Sequence, residues 1–210
     1  MNKDVKEAIK NAIVLIVITL LAGLSLGGVY QMTKEPIEQQ KALALAESCK
    51  AVFPYEEGYD QAASFAASDY MVSEQLKNEL SQNGVEVGNI YNALSADGNV
   101  IGYAIEVISH EGYGGDIKLM CGVTADGVLR GVSILEISET AGLGMRAESV
   151  LVPQIHNMNT DQITFTKSGK TEENEIDAIS GATITTTAFV NIVNASLKVY
   201  SEMASLKGGA

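Results

Sequence analysis

The sequence predicts an α+β protein: a single N-terminal transmembrane helix, then a domain in which an antiparallel sheet is flanked by helices. Three observations carry this. Residues 11–33 form a run of 23 without a formal charge. Two Asp-Gly pairs, Asp97-Gly98 and Asp126-Gly127, each separate two β-rich stretches, and Asp-Gly between alternating apolar runs is a strong hairpin signal. Residues 188–204 place Val190, Val193, Leu197 and Tyr200 at helical spacing.

The elements follow in chain order. Residues 1–10 form a short tail carrying Lys3, Lys6 and Lys10. At 1.5 Å per residue, the uncharged run spans about 34 Å as a helix, enough to cross a hydrocarbon core of about 30 Å. A secretory signal is the competing reading, because Ala22-Gly23-Leu24-Ser25 offers small residues, but the apolar run is long for one. A retained anchor in membrane lipid is therefore expected. Gly23 and Gly27 have the small-residue spacing that suits close packing against neighbouring helices. Residues 34–52, rich in Ala, Glu, Gln, Lys and Leu, read as a stalk helix that ends near Pro54. Residues 55–68 read as a loop, and residues 72–82 as a short helix stopped by Asn83-Gly84.

Strands are expected at 87–94 and 100–108, then at 117–123 and 128–137, with a short one at 163–165. The 188–204 helix should pack on the sheet they form. The organisation expected is thus a tail (1–10), a span (11–33), a stalk with connecting segment (34–84) and a folded domain (85–210).

The formal charge is −12. Residues before Lys34 contribute +1, so the rest, with 11 basic against 24 acidic residues, carries −13. Such a surface excludes nucleic acid as a partner, since phosphate binding needs clustered Lys and Arg. Cys49 and Cys121 are far apart and have no ligand spacing. A disulfide is chemically allowed outside the cell, but Cys121, inside a strand, reads first as a small buried apolar residue. With only His110 and His156 beside them, no protein-ligated metal site is expected. No catalytic triad, paired-carboxylate site or P-loop is evident.

Three glycine-containing segments fall between the elements: Gly112-Tyr113-Gly114-Gly115-Asp116, Glu139-Thr140-Ala141-Gly142-Leu143-Gly144, and Ser180-Gly181-Ala182-Thr183. A strand-like stretch precedes the third, and a helical pattern follows it. A turn that places a hydroxyl at a helix N-terminus suits a phosphate, because unpaired N–H groups and the helix dipole favour anions there. A Thr-rich helix cap fits the same residues.

Taken in this order, the three segments resemble the FMN-binding domain shared by the G subunit of the Rnf complex and the C subunit of the sodium-pumping NADH:quinone reductase. In that family the last segment is a flavinylation motif of Asp, two variable residues, Ser or Thr, Gly, Ala and Thr. Asp177, Ser180, Gly181, Ala182 and Thr183 match it. The resemblance implies that Thr183 is esterified to the phosphate of FMN by a flavin transferase. It makes Thr185, Thr186 and Thr187 bystanders or helix-start residues, and Ser180 a turn residue whose hydroxyl bonds nearby backbone. Gly142 and Gly144 would let backbone approach the flavin ring, and Leu143 would pack on it. Glu139 and Thr140 would hydrogen-bond the ring or ribityl chain; Tyr113, beside Gly114, either stacks on the flavin or is an ordinary surface or half-buried loop tyrosine. The chain departs from the pattern at Ala141, where the family usually has Pro, and at Ile137, where a His commonly precedes the Glu.

The function so implied is that of an electron-transfer subunit, without independent catalysis, of an ion-translocating ferredoxin:NAD⁺ oxidoreductase. Its partners would be the other integral and peripheral subunits of the Rnf complex. It would sit in the cell membrane with its N-terminus cytoplasmic and its folded domain outside. Two alternatives stand beside this. One is the C subunit of the sodium-pumping reductase, usually longer between anchor and sheet. The other is an anchored non-redox binding or structural domain in which Thr183 only caps a helix.

Overall fold

The computed structural model describes residues 3–55 and 60–207. They divide into two compact units, one up to Ala44 and one from Leu45 onward. In the first, α1 (Lys3–Ala51) begins, and it continues past Pro36. Its stretch Ile9–Ile37 is long and apolar enough to cross a membrane. Leu15, Leu20, Leu24 and Leu26 are exposed along it, as an anchor in lipid requires. The stalk expected at 34–52 is the C-terminal part of this same helix.

The second unit is built on a five-stranded antiparallel sheet in the order β1-β2-β3-β4-β5. β2 (Val85–Leu94) and β3 (Val100–Ser109) form the first hairpin, β4 (Ile117–Thr124) and β5 (Leu129–Ile137) the second. Gly98 and Gly127 close them with φ of 80° and 94°, the conformation for which glycine is needed in such turns. The fifth strand, β1 (Ser64–Ala67), pairs with β2 and corrects the reading of 55–68 as a loop. Residues 56–59 of that stretch lie outside the described residues. Ser64-Phe65-Ala66-Ala67 has one strand-favouring residue, Phe65, among Ser and Ala, so propensity carried little signal. The open edge of β2 supplies the ladder instead.

β3 and β4 are central and buried on both faces. One face carries Ile105, Val107, Leu119 and Cys121 against α2 (Glu74–Ser81) and the long C-terminal helix α4 (Thr183–Lys207). The other carries Ala93, Ala104 and Met120 against Cys49, Val52 and Phe53 at the end of α1. Cys49 and Cys121 are therefore free, buried and on opposite faces of the sheet. Burial pushes both thiols up, to about 11 for Cys49, where Glu106 adds to the effect, and about 12 for Cys121. Gly122 lets the end of α1 lie on the sheet: a Cβ there would meet Val52 O at 2.4 Å.

The chain then passes through a single helical turn, α3 (Ala147–Val150), between two 3₁₀ turns. β6 (Thr164–Thr166) follows, one residue beyond the expected start, and pairs in parallel with β7 (Glu175–Asp177). α4 starts at Thr183, five residues before the expected position, because the threonines that read as helix-start residues are themselves its first turn.

Candidate functional site

Two tight turns of the same design frame the site. In the first, the carbonyl of Thr140 accepts from Leu143 N–H (3.1 Å) and from Met145 N–H (3.2 Å). Gly142, its third residue, has φ +77°. In the second, the carbonyl of Ile179 accepts from Ala182 N–H (3.0 Å), and Gly181, again third, has φ +81°. Positive φ at that position is where turns of this kind take glycine. A Cβ added at Gly181 would approach Leu143 Cδ2 to 3.2 Å, so the turns face each other.

The second turn delivers the chain into α4. The first helical bond runs from Thr186 N–H to Ala182 O (3.0 Å). The N–H groups of Thr183, Ile184 and Thr185 precede it and have no carbonyl within the helix. Thr186 fixes the junction: buried, it accepts from Ile179 N–H (3.2 Å) and donates to Ala182 O (2.9 Å). The last strand of the small sheet aims the turn. Asp177 donates through its N–H to Gln154 Oε1 (2.7 Å), and its carboxylate accepts from Lys170 N–H (2.8 Å).

Between the turns lies a cavity of about 460 Å³, lined by Tyr113, Glu139, Thr140, Leu143, Gly144 and residues 181–185. That volume is within the range of small-molecule sites. Its mouth is apolar: Tyr113 is 70% exposed, Ile184 51% and Leu143 42%. Glu139 joins two of its walls, accepting through Oε1 from Tyr113 N–H (2.8 Å). A second, more polar cavity of about 410 Å³, lined by Gln82, Asn83, Glu111, Thr187, Ala188 and Asn191, shares Thr183 and Ile184 with the first. Thr183 thus stands between two openings, half-buried, with no side-chain hydrogen bond among the described residues.

Of the residues singled out in the sequence, Tyr113, Glu139, Thr140, Leu143, Gly144, Gly181, Ala182 and Thr183 line one cavity. Asp177, Ser180, Gly114 and Gly142 do not. Asp177 latches the strand before the turn. Gly114 is where the loop crosses Ser138, whose carbonyl a Cβ would meet at 2.3 Å. Ser180 is exposed and its hydroxyl bonds no backbone group among the described residues, against the expectation for it. Thr186 and Thr185 are not bystanders. Thr186 holds the turn, and Thr185, 1% exposed, lies on the cavity floor. Ile184, at the mouth, was also missed. Ile137, in the place of the family's His, ends β5 and packs on the core.

His110 steadies the far end of the Tyr113 loop, with Nδ1 3.0 Å from Asp116 Oδ1 and Nε2 3.5 Å from Glu86 Oε2. The hydrogen bond to Asp116 raises its pKa above the ordinary histidine value; slight burial opposes this, and the charges of Asp116 and Glu86 add to the rise.

A family model described as the FMN-binding domain matches residues 112–198, and one described as the RnfG N-terminal region matches residues 1–52. The chain is similar to the G subunit of the Na⁺-translocating ferredoxin:NAD⁺ oxidoreductase complex of Acetobacterium woodii, 30% identical over 204 residues that cover 96% of this chain and 95% of that one. It is also similar to the G subunits of the ion-translocating oxidoreductase complexes of Haemophilus influenzae (31% over 194 residues, covering 89% and 87%) and of Methanosarcina acetivorans (28% over 203 residues, covering 94% and 97%). Among solved structures it is similar to Shewanella oneidensis NqrC, with a TM-score of 0.46 and 15% identity over 56% of this chain and 61% of that one.

Proposed function

The chain belongs to the G-subunit family of ion-translocating oxidoreductase complexes, as a membrane-anchored subunit with an FMN-binding domain, and from that premise we propose that it carries FMN covalently, as a phosphoester on Thr183, and serves electron transfer inside a ferredoxin:NAD⁺ oxidoreductase. The observation that carries the reading is the start of α4. There a half-buried hydroxyl without a protein partner stands at the lip of a cavity, beside three N–H groups with no helical acceptor.

The residues present fit such a cofactor. The N–H groups of the first turn and the helix dipole favour a phosphate. Gly144 leaves space that a Cβ would fill, at 2.7 Å from both Glu139 and Thr185. Tyr113, Leu143 and Ile184 offer apolar surface to a flat ring at the mouth. Bound FMN supplies reversible electron uptake at its ring, and the protein supplies position and electrostatics. Glu139 holds the Tyr113 loop, Thr186 holds the turn, and Thr183 keeps its hydroxyl accessible to a flavin transferase during maturation.

The domain, from about residue 85 onward, would lie outside the cytoplasm with residues 1–10 inside, joined by the span at 11–33 and the stalk region 34–84. The names of the relatives, each belonging to a multi-subunit complex, support integral and peripheral partner subunits around the anchor. The near-equal coverage of chain and relatives favours the Rnf-type G subunit over the longer C subunit of the sodium-pumping reductase.

The test is chemical. Protein produced with an active flavin transferase should show one FMN adduct by intact mass and ultraviolet fluorescence that survives denaturation. Thr183→Ala should abolish both. Bare polypeptide from the wild type, or an adduct mapping to another side chain, would overturn the reading and favour a non-redox anchored domain.

A further inference from the structure

Thr185 is the third residue of α4, 1% exposed and part of the cavity wall. Its neighbours turn their hydroxyls back onto the helix, Thr186 donating to Ala182 O (2.9 Å) and Thr187 to Thr183 O (2.9 Å). Thr185 makes no such bond among the described residues. None of their fully enclosed side-chain oxygens lacks a partner. The free Thr185 Oγ1 therefore opens onto the cavity rather than into the core. A buried hydroxyl without a partner costs stability unless a ligand completes it.

What lies next to it restricts the ligand group. Thr185 Oγ1 and Glu139 Oε2 each stand 2.7 Å from the point a Cβ on Gly144 would occupy. They are therefore at most about 5.4 Å apart, twice that 2.7 Å separation. A phosphate there would face a carboxylate, so the cavity floor is not the anion site. The group that satisfies both must accept from Thr185 and donate to Glu139, and an alcohol does so. Depth selects which alcohol. The Cα atoms of residues 183 and 185 are about 5.4 Å apart on the helix. In FMN the hydroxyl-bearing carbons of the ribityl chain begin next to the phosphate-bearing carbon, while the polar edge of the ring is at the far end. Resting on the reading that Thr183 carries FMN, we propose that Thr185 and Glu139 form a paired seat for a ribityl hydroxyl. Thr185 donates to it and Glu139 accepts from it. The seat holds the polyol on the floor and leaves the ring at the mouth, beside Tyr113, Leu143 and Ile184.

The experiment compares wild type, Thr185→Val and Thr185→Ser, each purified without the transferase and fully flavinylated, in urea unfolding. Valine keeps the shape of threonine, no protein hydrogen bond is lost and an uncompleted hydroxyl is removed, so the flavin-free Thr185→Val protein should be at least as stable as wild type. All three should accept the adduct at Thr183 by mass. Flavinylation should raise the folding equilibrium constant of Thr185→Val about 2- to 10-fold less than it raises that of wild type, the worth of one neutral hydrogen bond. Thr185→Ser should retain the wild-type gain, and the visible absorption of the flavin should not move. An equal gain in Thr185→Val and wild type would overturn the proposal, as would a flavin-free Thr185→Val that is already destabilised. A shifted flavin band in Thr185→Val would put the hydroxyl on the ring and overturn the ribityl assignment. Absence of any adduct in wild type is a separate result, which removes the proposed function and this seat together.

Discussion

Replacing Gly144 by Ala tests whether the cavity is a built space. Gly144 is buried, and its φ lies outside the left-handed region, so an alanine there adds a methyl group and little backbone strain. That methyl would stand 2.7 Å from Glu139 Cβ, Glu139 Oε2 and Thr185 Oγ1 at once. Thr185 is held by the helix, so Glu139 must give way. Its Oε1 is the acceptor for Tyr113 N–H at 2.8 Å, so the shift loosens the loop on the opposite wall as well. Overpacking of this kind costs about 1–3 kcal/mol. A weakened bond to a charged acceptor adds about 1 kcal/mol, and the lower entropy of the unfolded alanine chain returns about 0.4–1 kcal/mol. A net loss of about 2 kcal/mol is expected, readable in urea unfolding of the flavin-free protein, together with a loss of covalent flavin when the transferase is present. Gly142→Ala is the control. Its Cβ would meet nothing within 4 Å, but φ is +77°, so it costs about 1–2 kcal/mol of strain and leaves the cavity open. It should lose stability and keep its flavin. A Gly144→Ala protein with wild-type stability and full loading would refute the reasoning, as would equal loss of loading in both variants.

Three further outcomes follow from single contacts. The raised pKa of His110 means that its protonated form stabilises the fold below the ordinary histidine value of about 6.5, and that the contribution is lost as pH rises through the higher folded value. Amide exchange in residues 112–116 should therefore quicken, beyond its intrinsic rise, as pH climbs above about 6.5, and Asp116→Asn should remove most of that excess; an unchanged excess would refute it. In Gly122→Ala the new Cβ would meet Val52 O at 2.4 Å, and backbone cannot yield as a side chain can. The end of α1 should detach, lowering stability by about 2–3 kcal/mol and exposing the Cys49 thiol to a thiol reagent that does not reach it in wild type. Ala141→Pro should raise stability by about 0.4–1 kcal/mol, because Ala141 is the second residue of the Thr140–Leu143 turn, where proline's φ fits; a lower unfolding midpoint would show the turn to be of another type.

The parts of the fold legible in the sequence are those in which one segment decides its own structure. The uncharged run 11–33 needs no partner to read as a span, and Asp97-Gly98 and Asp126-Gly127 fix their hairpins by local φ. The parts that were hidden depend on another segment. β1 exists because β2 has an open edge, not because Ser64-Phe65-Ala66-Ala67 favours extension. β6 was expected to within one residue, but its parallel pairing with β7 joins two three-residue strands and neither announces it. In the candidate site the same division holds. The glycines of both turns were visible as glycines. That Gly144 makes room for Glu139 and Thr185, while Gly142 only turns the chain, appears once the walls are assembled.

Thr185 is the residue whose role was readable in the sequence and went unread. Counted along α4, Phe189, Ile192, Ser196, Val199 and Met203 form one buried stripe at helical spacing. Thr185 is in phase with it, four residues before Phe189. A polar side chain at the head of an apolar stripe must either bond back to its own helix or meet a partner from elsewhere, because an enclosed hydroxyl with neither is costly. Reading Thr185, Thr186 and Thr187 together as bystanders or helix-start residues averaged over that phase. Read by phase, the run separates into three duties: Thr183 faces outward at the cavity lip, Thr186 ties the turn to the helix, and Thr185 points inward, where the only group left to complete it is one that enters from the mouth.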